Sequence, residues 1–332
     1  MRQRVTRFLS RTEGRAASSP VPVLSCVVIV HDMMDQAENT VKSLLCDYQR
    51  GIQPHEYEVV IVENASPRVM RREFTDSLPG NFHYYLRENA EISPGPAINF
   101  GVTQTSGENI CILIDGARML TPGALKFIML GHGLSDSAVV SVPGYHIGHQ
   151  LQQEAAASGW DSQQERRLLQ SIAWPQDGYR LFEISCMNAS SALGFFLPNS
   201  ESNCISLSRR LWNALGGYDT RFNLRGGGLI NLDFYKRACE HPGIQHVILP
   251  GEGTFHQFHG GVTTGGQDTA ARSAYIEASN EQYRQLRGQD YENPRTTPIF
   301  LGEIHRQAHQ FLLHSVQMAM QMDGSDCLGK PC

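Results

Sequence analysis

Short apolar segments rich in β-branched residues alternate with amphipathic segments through the first part of the chain. The segments Val23–Val30, Tyr57–Val62 and Asn109–Ile114 have the length and composition of strands that are buried on both faces. Between them, Asn39–Cys46 and Ala97–Thr105 space their apolar residues as helices do. This alternation predicts an α/β fold in which helices flank a mostly parallel, Rossmann-like sheet.

The composition of the 332-residue chain narrows the classes of partner. Lys and Arg number 28 against 33 Asp and Glu, a net charge of -5, so the chain lacks the positive field expected of a nucleic-acid-binding protein. No apolar stretch reaches the roughly 18 to 20 residues that a membrane-spanning helix needs. The 8 cysteines are scattered singly, without zinc-ribbon spacing, and are interpreted as reduced thiols of a cytoplasmic protein.

Four segments are predicted along the chain. Residues 1–21 contain five arginines and no apolar core, which indicates a flexible basic leader; weak attachment to an anionic membrane, at the inner membrane face, is the alternative use. Residues 22–265 are expected to form the α/β domain. A C-terminal helical extension is predicted over residues 266–322, where an apolar stripe suits packing or a homodimer face, and residues 323–332 form a polar tail.

Polar residues stand where three of the predicted strands end. His31 follows the first strand, Glu63 and Asn64 follow the second, and Asp115 follows the Asn109–Ile114 strand. Because the carboxyl ends of parallel strands meet at one edge of a sheet, we expect these side chains to line one cleft. The chain has neither the glycine-rich dinucleotide-binding motif after its first strand nor a Walker lysine motif, which disfavours those two kinds of site.

Six motifs over roughly residues 23–260 resemble those of family-two glycosyltransferases of the GT-A fold. They occur in the family's order: CVVIVHD, YEVVIVENAS, NAEISPGPAINFG, SGENICILIDGARMLTPGAL, NCISLSRRLWNALGGYDTRF and RGGGLINLDFYKRA. The resemblance implies a GT-A domain that transfers a sugar, with inversion, from a nucleotide-diphosphate donor such as a UDP-sugar to an acceptor hydroxyl. The acceptor is a glycan, as in polysaccharide biosynthesis, a lipid-linked glycan or a small molecule, and the residues leave these alternatives open.

The resemblance places the donor nucleotide against the first two strand ends. The family holds the nucleobase and ribose at the positions of Val30, His31, Glu63 and Asn64, where a carboxylate and an amide can form the required hydrogen bonds. A carboxylate that only caps a turn is the alternative for Glu63. Asn99, in the segment that covers the nucleotide in the family, is expected to fix that loop or to act as an ordinary helix residue.

The family's D-x-D metal motif is incomplete in this chain. Asp115 is present, but the second carboxylate is replaced by Ala117. His256 and His259 follow a late strand, as the family's metal-binding histidine does, and are predicted to join Asp115 around a divalent cation, Mn²⁺ or Mg²⁺; the alternative is that both are structural. Arg118 is the candidate to neutralise the donor phosphates, although a surface arginine is the commoner explanation.

The acidic pair that supplies the general base in the family is also replaced. Ile230 and Asn231 stand at its two positions, and neither can accept a proton. Asp233 is therefore the candidate base; the alternative is that it complements the dipole at a helix N-terminus. These losses motivate a second hypothesis, in which the chain is a weak or inactive relative that serves as a nucleotide- or partner-binding module.

Overall fold

The computed structural model describes residues 5–8, 22–260 and 269–327. Thirteen strands occur in this part of the chain: β1 (Val5–Phe8), β2 (Leu24–Val30), β3 (Tyr57–Asn64), β4 (Phe82–Arg87), β5 (Asn109–Leu113), β6 (Arg118–Leu120), β7 (Ala138–Ser141), β8 (Gly144–Ile147), β9 (Ser185–Met187), β10 (Cys204–Ser208), β11 (Gln245–Ile248), β12 (Thr254–His256) and β13 (Ile299–Phe300). The helices of the same ranges are α1 (Met34–Lys42), α2 (Arg72–Asp76), α3 (Gly95–Thr103), α4 (Ala124–Leu134), α5 (Gln152–Ala157), α6 (Ser162–Ser171), α7 (Arg209–Leu215), α8 (Ile230–Cys239), α9 (Thr269–Arg287) and α10 (His309–Cys327).

Nine of these strands form one sheet in the order β1-β4-β3-β2-β5-β10-β7-β11-β13. The strands β4, β3, β2 and β5 are parallel to one another, and so are β7, β11 and β13. Between these two groups, β10 runs antiparallel to both of its neighbours. A second sheet has the order β6-β12-β8-β9. The predicted α/β fold, with helices flanking a mostly parallel sheet, is confirmed.

The central sheet is buried on both faces, as its continuous apolar strands predict. Alternate residues of β2 enter two different cores: Cys26 and Val28 pack with α1 and α4, whereas Val27 and Ile29 pack with α3, α7 and α8. Each such side chain contributes about 1.5 to 3 kcal/mol when fully buried. Gly101 lets α3 approach the sheet closely, since a Cβ atom there would lie 2.5 Å from a methyl carbon of Val27.

A third core lies at the second sheet. Tyr145 of β8 stacks on Phe255 of β12, with ring centroids 5.0 Å apart, and Phe182 and Phe311 pack edge-on against this pair. Phe311 belongs to α10, so the C-terminal helix is anchored in this core. The other helix of the extension, α9, inserts Tyr283 into the core on the α3 side of the central sheet.

Some of the predicted segment boundaries fall within the described residues, and others fall outside them. Val5–Phe8 of the predicted leader form β1, which pairs with β4, while residues 1–4 and 9–21 lie outside the described part. The expected boundary between residues 265 and 266 also lies outside it. The predicted helical extension contains α9 and α10, and α10 continues into the predicted tail as far as Cys327. None of the described helices combines the length and the hydrophobicity that crossing a bilayer requires.

Candidate active site

Strand register brings the predicted polar residues to one edge of the central sheet. β2 and β3 are parallel and pair Val30 with Glu63. β5, on the other side of β2, ends at Leu113, and Asp115 follows two residues later. Because β10 is antiparallel to β5 and pairs Cys204 with Leu113, the N-terminal end of β10 lies at the same edge as Asp115.

Glu63 is fully buried and is bound by groups of the loop that follows it and of β4. Its Oε2 accepts hydrogen bonds from the Met70 backbone N–H, at 3.0 Å, and from the Tyr84 hydroxyl, at 3.2 Å. Oε1 accepts one from the Ser66 hydroxyl, which in turn accepts one from the Asp32 backbone N–H. Burial raises the pKa of Glu63, and these hydrogen bonds oppose the increase. The contacts support the alternative in which this carboxylate organises a turn.

Of the four residues expected at the nucleobase and ribose, only His31 is exposed. Its Nδ1 lies 2.8 Å from the backbone oxygen of Asn64, which orients the ring at the sheet edge. The Asn64 side chain is buried and its oxygen accepts a hydrogen bond from Arg87, while Val30 is completely buried. A contact between the donor and the side chain of His31 therefore remains a prediction that the exposure of this residue permits.

Asn99 joins α3 to the turn that follows α7. Its side-chain amide donates to the Tyr218 backbone oxygen and accepts from the Tyr218 backbone N–H, both at 2.9 Å. Both polar atoms of the amide are thus used inside the protein, which favours the structural alternative for Asn99.

Asp115, His256 and His259 form a cluster. Each offers one ligand atom, and these three atoms all lie within 4.8 Å of one another. The Nε2 atoms of the two imidazoles are 3.0 Å apart. The structure thus brings together the three residues that the sequence predicted around a cation, from the end of β5 and from the end of β12 and the turn that follows it.

Arg118 completes the cluster. Its Nε donates to Asp115 Oδ2 at 2.9 Å, and the residue as a whole is 8% exposed. Its Nη1 is buried and has no hydrogen-bond partner among the residues that the structure describes. A buried guanidinium nitrogen without a partner is costly unless an acceptor occupies the site, so Arg118 suits a phosphate better than the surface role that was the alternative.

The protonation states of the cluster suit a cation. Burial lowers the pKa of both His256 and His259, and the nearby Arg118 lowers each of them further. Burial alone would raise the pKa of Asp115, but the charge and hydrogen bond of the neighbouring Arg118 oppose burial, and that pKa lies below its usual value. Two neutral imidazoles and one ionised carboxylate are the ligand states that Mn²⁺ requires, so the residues present fit a divalent cation.

The region between residues 150 and 171, for which the sequence suggests no role, positions the two histidines. His256 Nδ1 hydrogen-bonds to the side-chain oxygen of Gln152 in α5, which leaves Nε2 facing His259. Gln152 also donates to the His256 backbone oxygen at 2.8 Å. From α6, the buried Glu165 accepts a hydrogen bond from the Phe258 backbone N–H at 2.7 Å. These are long-range contacts, so no local sequence signal reveals them.

Asp233 does not have the surroundings of a general base. It is 1% exposed, and both of its oxygens are bound by guanidinium groups: Arg237 donates to Oδ2 at 2.8 Å, and Arg287 donates to Oδ1 at 2.6 Å and Oδ2 at 2.8 Å. A buried carboxylate whose two oxygens are both bound by guanidinium groups presents no exposed oxygen to an acceptor hydroxyl. The prediction that Asp233 is the base therefore disagrees with its contacts, and Asp233 joins α8 to α9 instead.

Comparison with solved structures relates this arrangement to known folds. The mannosyltransferase PcManGT from Pyrobaculum calidifontis, solved in complex with GDP-Man and Mn²⁺, matches 94% of this chain over 77% of its own length, with 13% identity and a TM-score of 0.51. This chain has the GT-A glycosyltransferase fold. TarS 1-349 from S. aureus matches 90% of the chain over 72% of its own, with 11% identity and a TM-score of 0.47. No protein-family model and no curated protein matches the sequence.

Within the glycosyltransferase fold, the predicted site residues divide into two groups. The structure collects Asp115, Arg118 and the two late histidines at the edge of the sheet. It uses the other predicted side chains mainly to hold loops and helices together; these are Glu63, Asn64, Asn99 and Asp233. Glu201, three residues before β10, places a carboxylate beside Asn231 that no sequence motif indicates.

Proposed function

We propose that this protein is a cation-dependent glycosyltransferase, which moves a sugar from a nucleotide-diphosphate donor to an acceptor hydroxyl with inversion at the anomeric carbon. The donor diphosphate would lie at the cluster of Asp115, His256 and His259, with Arg118 beside it. The nucleoside would extend along the ends of β2 and β3, towards His31.

The cluster itself is the observation that carries the proposal. Asp115 and the two histidines would hold the cation, and a bound divalent cation would neutralise charge on the leaving diphosphate. The unpartnered Nη1 of Arg118 offers a second positive group for a phosphate oxygen. The histidines replace the ligand that Ala117 cannot provide. The Mn²⁺ and GDP-Man bound by the mannosyltransferase of similar fold support the same assignment.

Calorimetric titration with GDP and with UDP, each in the presence and absence of Mn²⁺, tests this proposal. We expect one of the nucleotides to bind the wild-type protein more tightly with Mn²⁺. His259→Ala should weaken the Mn²⁺-supported affinity by about tenfold or more, since it removes a ligand. His241→Ala is the matched control, because His241 is a half-buried histidine that follows α8, and its ring hydrogen-bonds to the neighbouring Pro242 backbone oxygen. Absence of nucleotide binding in the wild-type protein would contradict the proposal.

The second candidate function is that of a nucleotide-binding module without transferase activity. Ile230 and Ala117, at positions where the family has carboxylates, favour it. A module of this kind would bind nucleotide but would release no nucleoside diphosphate from a nucleotide sugar. Incubation with GDP-mannose or UDP-N-acetylglucosamine, with water as the acceptor, therefore separates the two candidates once nucleotide binding has been measured.

A further inference from the structure

We propose that Glu201 is the general base of this enzyme and replaces the acidic pair that the chain lacks. The proposal rests on the proposed transferase function and names the residue that activates the acceptor. It arises from a carboxylate that lies directly against Asn231, at the position where related enzymes carry their acidic pair.

The position of Glu201 follows from the direction of β10. Because β10 is antiparallel to β5, the residues just before β10 lie beside those just after β5. The backbone N–H of Ile114 donates to the Asn203 backbone oxygen at 3.4 Å, which continues this pairing one step past the strands. Glu201 and Asp115 therefore approach the same edge of the sheet from adjacent strands. A base is needed at this edge, where the donor diphosphate would lie.

Asn231 holds the Glu201 carboxylate in place. Its side-chain N–H₂ donates to Glu201 Oε2 at 2.7 Å and to the Ser202 backbone oxygen at 3.2 Å. Because a carboxylate oxygen and a backbone oxygen only accept, these two bonds fix which end of the amide faces Glu201, and the Tyr218 hydroxyl donates to the Asn231 side-chain oxygen at 2.9 Å. Asn231 is 5% exposed, so the arrangement is buried on one side. The amide that stands in the place of a base thus orients a neighbouring carboxylate.

The remaining contacts of Glu201 leave it able to accept a proton. Oε1 accepts one hydrogen bond, from the Ser190 hydroxyl at 2.9 Å. No arginine or lysine of the described chain forms an ion pair with Glu201, in contrast to Asp233, which is bound by two. Each carboxylate oxygen therefore keeps a lone pair. The side chain is half-buried, so an acceptor hydroxyl can reach it.

In the proposed reaction, Glu201 receives the proton that the acceptor hydroxyl loses. Glu201 takes the proton of the acceptor hydroxyl, and the hydroxyl oxygen uses the freed electron pair to form a bond to the anomeric carbon of the sugar. The bond from that carbon to the phosphate oxygen breaks, and its electron pair remains on the nucleoside diphosphate. In hydrolysis, water takes the place of the acceptor and the same proton moves to Glu201.

The test compares Glu201→Gln, the double variant Glu201→Gln/Asn231→Asp and the wild-type protein. Nucleoside diphosphate release from GDP-mannose or UDP-N-acetylglucosamine is measured, together with the affinity for the nucleotide and Mn²⁺. We expect Glu201→Gln to lower turnover by about 100-fold or more, as removal of a general base does, with nucleotide affinity and melting temperature retained. The double variant returns a carboxylate to position 231 and should recover about tenfold of that loss.

Glu183→Gln is the matched control and should leave turnover unchanged, because Glu183 is an exposed carboxylate paired with Arg180. Turnover of Glu201→Gln close to the wild-type rate would overturn the assignment of the base while leaving the transferase function standing. A double variant no more active than Glu201→Gln would also count against it. Nucleotide binding without any turnover in the wild type would overturn the assignment too. Failure of the wild type to bind nucleotide is the separate result that removes the proposed function itself.

Discussion

Asp233 and Glu201 differ in the charge of the groups that bind them. Both are near Asn231: Asp233 follows it by two residues, and Glu201 accepts a hydrogen bond from it. Two guanidinium groups bind the oxygens of Asp233, whereas an amide and a hydroxyl bind those of Glu201. Breaking a buried carboxylate's pairing with two cations is costly to folding, whereas a carboxylate held by an amide and a hydroxyl has no ion pair that a proton transfer would break. The neighbours of each carboxylate, and not its residue type, therefore decide that Asp233 has a structural role and that Glu201 is the candidate for a chemical one.

Asp233→Asn provides the residue-scale prediction. The substitution leaves Arg237 and Arg287 facing a neutral amide at a buried position, so we expect the free energy of unfolding to fall by about 3 kcal/mol. Urea denaturation measures this loss. Nucleoside diphosphate release per folded molecule should remain near the wild-type value, because Asp233 touches no reacting group. The control, Asp290→Asn, removes a surface partner of Arg284 and should cost about 0.5 kcal/mol or less. A stable Asp233→Asn protein with strongly reduced turnover would contradict this role.

At the scale of elements, the parallel half of the sheet was predictable and its antiparallel member was not. β2, β3 and β5 are apolar because helices cover both of their faces, and that pattern can be read locally. The direction of β10 depends on which strands it lies between, which no local pattern encodes. Asp115 could therefore be predicted at a strand end, but Glu201 could not be placed beside it.

Long-range contacts also position the two histidines, and these contacts could not be predicted from local sequence either. The resemblance to the family's late metal-binding histidine identified His256 and His259 as candidates, and the structure places both of them beside Asp115. The helices α5 and α6 are separated from them by about one hundred residues of chain, as the 104 positions between Gln152 and His256 illustrate. Hydrogen bonds over such separations arise only when the second sheet assembles, so α5 carried no recognisable signal.

Gln152→Met tests the support that α5 gives to this site. Methionine is similar in size but cannot accept the hydrogen bond from His256 Nδ1, so the imidazole loses the contact that directs Nε2 towards His259. We expect the Mn²⁺-supported nucleotide affinity to fall by about 10- to 100-fold, while affinity without the cation changes little. Calorimetry measures both. Gln153→Met, on the same helix, is the control; an equal loss in that variant would show that α5 acts only through general packing.

Across the whole molecule, helix α9 of the C-terminal extension closes over the segment that leads to α8. The Tyr275 hydroxyl donates to the Arg225 backbone oxygen and accepts from the Gly228 backbone N–H at 3.1 Å. Gly226 and Gly228 both have positive φ, at 73° and 56°, a conformation that other residues adopt at a cost. Arg287, at the end of the same helix, binds Asp233 in α8. α9 thus holds the start of α8, and with it Asn231, against the domain.

Tyr275→Phe tests this closure through a measurement that reports opening of the glycine segment itself. The variant loses the hydroxyl that binds both ends of the glycine segment, so we expect the segment to open more often and trypsin to cleave after the exposed Arg225 several-fold faster. Limited proteolysis with mass-spectrometric identification of the fragments measures the rate at this bond. Tyr57→Phe is the matched control, since it removes one buried hydroxyl, bound to the Leu44 backbone oxygen, on the other side of the sheet. Equal cleavage after Arg225 in both variants would mean that α9 does not restrain the segment, and Asn231 would then need another support to hold Glu201.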